Sequence, residues 1–311
     1  MRTPAVAELT FALRPRPPFR LDLTVWALRR RAHNVVDRYE DGIWRRVLVL
    51  GKSPVGVTVR QTRGGSHPEV EVRISAARPQ TVKAEVSAIV TRMLGLDRDL
   101  SDFYRLARGD AHLNDLAERL RGMKPVRYGT VFEAFANAVA CQLVSLSAGM
   151  HVLNRIAEAC GTPEEAARAR SFPPASAIAR SNPDALRTLG LSRQKGEYLI
   201  GLARLAIDSK DRDFASIERL ADDDAIARLS KIRGVGRWTA EYVMLRGFGR
   251  INIFPGDDVG GRNKLFEWLG ASDAPTYDGV GKMLARWHPY GGLIYLHLIV
   301  NAVVDGGHVA A

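Results

Sequence analysis

The stretch SKIRGVGRWTAEYVMLRGFGRINIFPGDDVGGRNKLFEW, residues 230–268, decides how the second half of the chain folds. Apolar residues recur at helical spacing up to Ile232, stop at Gly234-Val235-Gly236 and resume from Trp238, which predicts helix, tight turn, helix. Two glycines one residue apart let backbone amides approach a ligand, and the second helix begins with free N–H groups. We therefore expect the hairpin to bind an anion such as a phosphate.

The neighbours of the hairpin fit a phosphate partner. Arg233 and Arg237 flank it with positive charge, which favours a salt-sensitive contact with a nucleic acid backbone. An ordinary helical corner is the alternative for an isolated Gly-X-Gly. The predicted phosphate-binding set is Gly234, Val235, Gly236, Arg237 and Thr239.

Three motifs follow one another along the chain: ACQLVS at Ala140–Ser145, IRGVGRWTA at Ile232–Ala240 and FPGDDVG at Phe254–Gly260. In this order they resemble the helix-hairpin-helix superfamily of DNA glycosylases, and within it the bacterial 3-methyladenine DNA glycosylase II type. Weaker likeness extends from about Phe19 to Arg286–Ile299 (RWHPYGGLIYLHLI), so the resemblance covers most of the chain.

The resemblance implies that Asp258 is the catalytic aspartate, about twenty residues after Trp238, and that Asp257 is the less favoured of the pair. Breaking an N-glycosidic bond develops positive charge on the sugar, which a fixed carboxylate stabilises most in the transition state. The same group can orient or deprotonate the attacking water. The alternative is a helix N-cap, since both acids precede a helical stretch that starts near Gly261.

Position 238 distinguishes two mechanisms. Bifunctional relatives carry a lysine there, whose amine forms a Schiff base with the sugar and leads to strand cleavage. This chain has Trp238. The resemblance therefore implies a monofunctional glycosylase without lyase activity.

Base flipping requires a wedge to fill the gap in the duplex and a pocket for the extruded base. By resemblance, Leu143 is the wedge and Gln142 helps to hold the opposite strand. The helix that precedes them places Phe132, Phe135 and Val139 near one face, so a core position is the alternative for Leu143.

The predicted base pocket consists of Trp238, Tyr242 and Tyr290, whose aromatic faces suit a cationic alkylated purine. Packing in the core is the alternative for each ring. Tyr290 departs from the family pattern, which has tryptophan at this place, and this leaves the lesion range open.

Residues 1–100 are predicted to form a small antiparallel α+β domain, and residues 101–311 a helical region of two lobes with the active-site cleft between them. Alternating apolar residues predict strands at Phe19–Val25, Val55–Arg60 and Val70–Ile74. Met1–Pro18 is interpreted as a loosely attached leader.

Composition agrees with double-stranded DNA as the partner. The formal net charge is +11 on 311 residues, with a pI near 10.0, and such a balance attracts polyanions. The runs Arg29-Arg30-Arg31 and Arg45-Arg46 are interpreted as solvated faces that raise encounter rates.

No cofactor is expected to be required. Cys141 and Cys160 are the only cysteines, too few for the four-cysteine iron–sulfur cluster of some relatives. The hairpin is a candidate for Na⁺ or K⁺ held by the carbonyls of Ser230, Ile232 and Val235. Two thiols, no signal peptide and no membrane-spanning segment indicate a cytoplasmic protein, nucleoid-associated when bound to DNA and expected to be a monomer.

These patterns predict a monofunctional glycosylase that flips out alkylated purines of the 3-methyladenine type and hydrolyses the N-glycosidic bond in base excision repair. Two alternatives stay open. One is a glycosylase for deaminated or oxidised bases such as uracil or hypoxanthine, and the other is a non-catalytic helix-hairpin-helix DNA-binding protein.

Overall fold

The computed structural model of the chain describes residues 6–164, 167–208, 212–271 and 276–309. Its first part is an antiparallel sheet of five strands in the order β1-β5-β4-β3-β2. The strands are β1 (Ala7–Leu13), β2 (Arg38–Glu40), β3 (Ile43–Leu50), β4 (Ser53–Arg63) and β5 (Glu69–Ala76). The regular structure of the remainder is almost entirely helical, as expected for an α+β chain with its sheet at the N-terminal end.

The strand predictions for Val55–Arg60 and Val70–Ile74 are confirmed, because these segments lie within β4 and β5. Their alternating apolar residues pair across the sheet, with Val57 opposite Ile74 and Val59 opposite Val72, all fully buried. One face of the sheet is therefore part of the core.

The strand prediction for Phe19–Val25 is wrong: this segment enters helix α1 (Leu21–Arg29). Nearly every residue of α1 is buried, Leu21 and Val25 among them, so the helix has no polar face that would have revealed a 3.6-residue period. The leader prediction is also wrong for Ala7–Leu13, which pairs with β5 along its whole length. Residues 1–5 lie outside the described ranges.

Fourteen further α-helices follow in the described ranges. They are α2 (Pro79–Leu94), α3 (Ser101–Ala107), α4 (Ala111–Arg119), α5 (Val131–Cys141), α6 (Leu146–Cys160), α7 (Ala175–Ala179), α8 (Pro183–Thr188), α9 (Arg193–Asp208), α10 (Arg212–Glu218), α11 (Asp222–Leu229), α12 (Arg237–Val243), α13 (Val259–Leu269), α14 (Tyr277–Leu284) and α15 (Gly291–Asp305). Two minimal strands, β6 (Pro163–Glu164) and β7 (Ala169–Arg170), form a short hairpin after α6. None of the described helices is long and apolar enough to span a membrane.

A buried ion-pair network ties the sheet to the helices. Arg46 in β3 bonds Asp37 at 2.8 Å and Glu133 of α5 at 2.6 Å, and all three side chains are almost wholly buried. Burial raises the pKa of Glu133, which Arg46 opposes. The network holds α5 in place, and α5 leads directly to Gln142 and Leu143. The interpretation of Arg45-Arg46 as a solvated face is thus wrong for Arg46.

Sheet and helices share one continuous hydrophobic core, to which Trp44 of β3 and Leu293 of α15 both belong. Helix α1 packs against α15, so the first and last of the described helices are neighbours. The division at residue 100 and the two-lobe arrangement of residues 101–311 stay predictions.

Candidate active site

The glycine hairpin lies between α11 and α12, as the sequence predicts. Gly234 has φ +86°, a conformation that favours glycine, and a Cβ there would overlap the ring of Tyr198. Gly236 is the N-cap of α12, and a Cβ on it would have no atom within 4 Å. The first glycine is required by the fold, whereas the second leaves the helix N-terminus open to an incoming group.

The two arginines beside the hairpin are exposed. Arg233 pairs with Glu197 at 3.2 Å, and the guanidinium of Arg237 stacks over the ring of Tyr277 at 4.6 Å. Neither group is buried, so both can reach a solvent-borne anion. Thr239, by contrast, is buried.

The carbonyls proposed to hold a monovalent cation belong to this turn. The Ile232 carbonyl already accepts the N–H of Val235 at 3.0 Å, which closes the turn. Within the described ranges, no cluster of three or more His, Cys, Asp or Glu side chains could hold a metal ion. A backbone site at Ser230, Ile232 and Val235 stays a prediction.

Asp258 is half-buried at the start of α13, where both of its carboxylate oxygens are engaged. Oδ1 accepts the N–H of Gly261 at 2.9 Å, so Asp258 is the N-cap of α13. Oδ2 accepts the phenol hydroxyl of Tyr295 at 2.6 Å. Capping uses only one of the two oxygens, so the role of Asp258 as a helix N-cap is compatible with its predicted role as the catalytic carboxylate. Asp257 is exposed.

No pattern in the sequence marks Tyr295 as a residue of the site. It lies in α15 and is 4% exposed. Burial raises the pKa of Tyr295 well above its ordinary value, and the neighbouring Asp258 carboxylate raises it further. The phenol therefore stays protonated and donates its hydrogen bond to Asp258 across the physiological range.

A buried glutamate holds the turn that precedes the two acids. Glu241 in α12 accepts the N–H of Gly256 at 3.0 Å and the hydroxyl of Tyr277 at 2.5 Å. Burial raises the pKa of Glu241, and the two donors oppose this rise. The turn leading into Asp258 is thereby fixed to the second helix of the hairpin.

The three predicted pocket aromatics occupy different environments. Trp238 is half-buried and lies 5.6 Å from the ring of Tyr242. Tyr242 is 4% exposed and its hydroxyl contacts that of Tyr128 at 2.8 Å, so it belongs to the buried core next to Trp238. Tyr290 packs edge-on against Phe103 of α3 at 5.3 Å. The structure thus brings Trp238 and Tyr242 together and gives Tyr290 a separate partner.

Two buried arginines lie beside Tyr128 and Tyr242, and the sequence did not reveal them. Arg30 donates to the Tyr242 hydroxyl at 3.1 Å and to the Asn137 side chain. Arg246 donates to the Ala27 carbonyl at 2.9 Å and stacks over the Tyr128 ring at 4.8 Å. The interpretation of Arg29-Arg30-Arg31 as a solvated face is therefore wrong for Arg30, and also for Arg29, which is buried.

Leu143 stands out as the most exposed large apolar side chain among the described residues. It has φ +55°, which is unusual for leucine, and the core alternative is wrong for it. The Gln142 amide donates to the Gly234 carbonyl and to the Thr239 hydroxyl, each at 3.0 Å. Gln142 therefore anchors the loop at residues 142–145 to the hairpin, and we call this loop the wedge loop after the role predicted for Leu143. The predicted contact of Gln142 with a DNA strand stays a prediction.

A lysine completes the support of the wedge loop. The Lys195 ammonium, at the start of α9, donates to the main-chain carbonyl of Gln142 at 2.6 Å. Desolvation lowers the pKa of Lys195. Three elements, α5, α9 and the hairpin, thus converge on the residue before Leu143.

Comparison with known proteins agrees with this arrangement. Residues 136–289 match the model of the HhH-GPD superfamily of base excision DNA repair proteins. The chain therefore contains an HhH-GPD domain. The matched range contains Leu143, the hairpin and Asp258, whereas Tyr295 and Arg30 lie outside it.

Two curated relatives match over most of their length. The DNA-3-methyladenine glycosylase of Bacillus subtilis is 28% identical over 86% of this chain and 89% of its own. DNA-3-methyladenine glycosylase 2 of Escherichia coli is 25% identical over 93% of this chain and 96% of its own. The 3-methyladenine DNA glycosylase from Archaeoglobus fulgidus shares the fold, with a TM-score of 0.82 and 23% identity over 97% of this chain and 100% of that one.

Proposed function

We propose that this protein is a monofunctional DNA glycosylase that removes alkylated purines of the 3-methyladenine type from duplex DNA in base excision repair. One observation carries the proposal: Asp258 is held at both carboxylate oxygens within a domain that also presents an open hairpin and an exposed Leu143. The names of the curated relatives support the alkylpurine class.

DNA binding follows from the hairpin and the charge. The free N–H groups at the start of α12 and the exposed Arg237 bind a phosphate of the damaged strand, and the net charge of +11 favours encounter with the duplex. Leu143 then enters the stack and fills the space that the flipped nucleotide leaves.

The chemistry requires a carboxylate and a water. As the N-glycosidic bond breaks, positive charge develops on the sugar, and Asp258 stabilises that charge more in the transition state than in the ground state. Asp258 also orients the water that attacks the sugar carbon and accepts its proton. The cationic base leaves as a neutral purine, so no protein acid has to protonate it.

The proposal extends to cofactor need, oligomeric state, cellular location and the residues of the base pocket. The enzyme requires no cofactor, acts as a monomer and works in the cytoplasm, associated with the nucleoid when bound to DNA. Na⁺ or K⁺ at the carbonyls of Ser230, Ile232 and Val235 assists phosphate binding without entering the reaction. Trp238 and Tyr242 receive the base, and Tyr290 adjusts the lesion range.

The test is release of free base from duplexes that each contain one lesion: 3-methyladenine, 7-methylguanine, hypoxanthine, uracil or 8-oxoguanine. Asp258→Asn is the matched control, because it keeps the side-chain volume and removes the charge. We expect the wild type to release the methylated purines fastest. Faster release of a neutral deaminated or oxidised base would overturn the lesion class, and release of none would favour a non-catalytic DNA-binding protein.

Strand cleavage tests the monofunctional mechanism on the same products. We expect strand cuts only after alkali, and no covalent enzyme–DNA adduct on borohydride treatment, because Trp238 offers no amine for a Schiff base. Trp238→Lys is the comparison variant, since it restores an amine at this position. Adducts of the wild type as abundant as those of Trp238→Lys would contradict the mechanism.

A further inference from the structure

We propose that Tyr295 is a positioning residue for Asp258, and that the hydrogen bond between them sets the rate of bond cleavage. The inference rests on the function proposed above and adds a residue that lies outside the matched HhH-GPD range of 136–289. Its basis is the 2.6 Å bond from the Tyr295 hydroxyl to Oδ2 of Asp258.

Tyr295 and the first turn of α13 are built to fit each other. Gly261, whose N–H bonds the other carboxylate oxygen, has no room for a side chain, because a Cβ there would lie 2.5 Å from Cε2 of the Tyr295 ring. Phe254 packs edge-on against the same ring at 5.3 Å and fixes its plane. The carboxylate is therefore oriented by two donors from two helices, α13 and α15.

A tyrosine is suited to this place because it orients the carboxylate without neutralising it. A lysine or arginine at hydrogen-bond distance would pair with the negative charge that the developing sugar cation needs. The phenol keeps its proton, so it supports the ionised carboxylate and leaves the net charge unchanged. A preoriented anion also needs little reorganisation when the bond breaks.

The charged and titratable groups around the Tyr295 hydroxyl are few. Besides Asp258, the groups that act on it are Tyr242, which is itself buried and protonated, and Arg246. Arg246 donates to the Ala27 carbonyl and stacks on Tyr128, so it has contacts of its own. Asp258 is therefore the charged group that the Tyr295 hydroxyl contacts directly.

Tyr295→Phe removes the hydroxyl and keeps the ring against Gly261 and Phe254. The matched control is Tyr104→Phe, a buried tyrosine whose hydroxyl accepts the Gly122 N–H at 3.0 Å. For each variant we would measure the single-turnover rate of base release against pH, the affinity for duplex DNA with an uncleavable abasic analogue, and the midpoint of thermal unfolding.

We expect Tyr295→Phe to release base roughly 10–100-fold more slowly, an effect of the size seen when a residue that orients a metal-binding side chain is lost. DNA affinity should stay within about twofold, and the acidic limb of the rate profile should move to higher pH, because the anionic carboxylate loses a donor. Tyr104→Phe should keep the wild-type rate and profile.

A wild-type rate and pH profile in Tyr295→Phe would overturn the inference while leaving the proposed function intact. A slower rate accompanied by an equal loss of DNA affinity and an unshifted profile would also overturn it, because that pattern indicates a purely structural role. No base release by the wild type on any lesion would overturn both proposals.

Discussion

The side-chain amide of Gln142 donates to the main-chain carbonyl of Gly234 at 3.0 Å, across 92 positions of the sequence. Because Leu143 follows Gln142 directly, the exposed apolar side chain and the hairpin are held as one unit. Under the proposed function, the position of Leu143 along a duplex is therefore set by where the hairpin binds a phosphate.

The two glycines of the hairpin should respond differently to the same substitution. Gly234→Ala should lower the free energy of unfolding by more than about 1 kcal/mol, because it combines a positive φ with overlap on Tyr198. Gly236→Ala should cost only a fraction of a kcal/mol and should instead weaken DNA binding, since its methyl group projects into open space at the N-terminus of α12. Thermal unfolding and a DNA titration of both variants check this, and equal losses of stability would contradict it.

Leu143→Gly should separate stability from activity. Glycine removes the strain of the left-handed backbone conformation at Leu143, but it also raises the entropy of the unfolded chain. Because the two effects offset each other, the free energy of unfolding should change by less than about 1 kcal/mol. Base release should slow roughly tenfold or more, because unstacking a base costs a few kcal/mol and nothing then fills the gap. Ile207→Ala, at another exposed apolar side chain, is the control and should leave the rate unchanged. Undiminished base release by Leu143→Gly would rule out the wedge.

Arg237 should contribute to DNA binding through charge alone. Arg237→Ala should weaken binding and reduce the slope of log affinity against log salt by about 1, as expected for one lost phosphate contact. Arg63→Ala removes an equally exposed arginine at the end of β4 and should leave the slope unchanged. Identical slopes for Arg237→Ala and the wild type would show that Arg237 makes no contact with a DNA phosphate.

His297 should make the fold sensitive to acid. Burial lowers its pKa to about 4 from an ordinary value near 6.5, and its buried Nε2 atom has no hydrogen-bond partner among the described residues. Between pH 6.5 and 4, His297 is therefore protonated in the unfolded chain and neutral in the folded chain. The stability that the neutral, buried His297 contributes is intact above pH 6.5 and is lost as pH falls toward 4.

Between pH 6.5 and 4, the free energy of unfolding should fall less in His297→Phe than in the wild type. The difference should be on the order of 1.4 kcal/mol for each unit of pKa difference that the variant removes. Unfolding by denaturant at several pH values measures this directly. If the free energy of unfolding changes with pH in the same way in the variant and the wild type, His297 is not the cause of the acid sensitivity.

Local patterns predicted the hairpin and offered a helix N-cap as the alternative role for Asp257 and Asp258, because the determinants of both features lie within a few residues of one another. The structure confirms both features. Helix α1 was predicted as a strand because burial on every side removed its polar face. Sequence therefore identified the elements that carry local signals and failed where tertiary packing replaces them.

The contacts that complete the site are long-range and have no local signal. Tyr295 is 37 residues from Asp258, and Arg30 is 212 residues from Tyr242. An arginine in a basic run resembles a solvated residue in sequence, and only the fold shows that Arg30 is buried. Tyr295 lay inside a stretch already noted for its resemblance, yet nothing in the sequence indicated that its hydroxyl reaches a carboxylate.

The central claim is that Asp258 acts on the reaction and not on binding. The most direct measurement compares the single-turnover rate of base release with the affinity for lesion-containing duplex, in the wild type and in Asp258→Asn. We predict a rate loss on the order of 10²–10³-fold or more, with affinity and unfolding midpoint nearly unchanged, because the variant removes charge and little volume. Equal losses of rate, affinity and stability would instead mean that Asp258 serves only as the cap of α13.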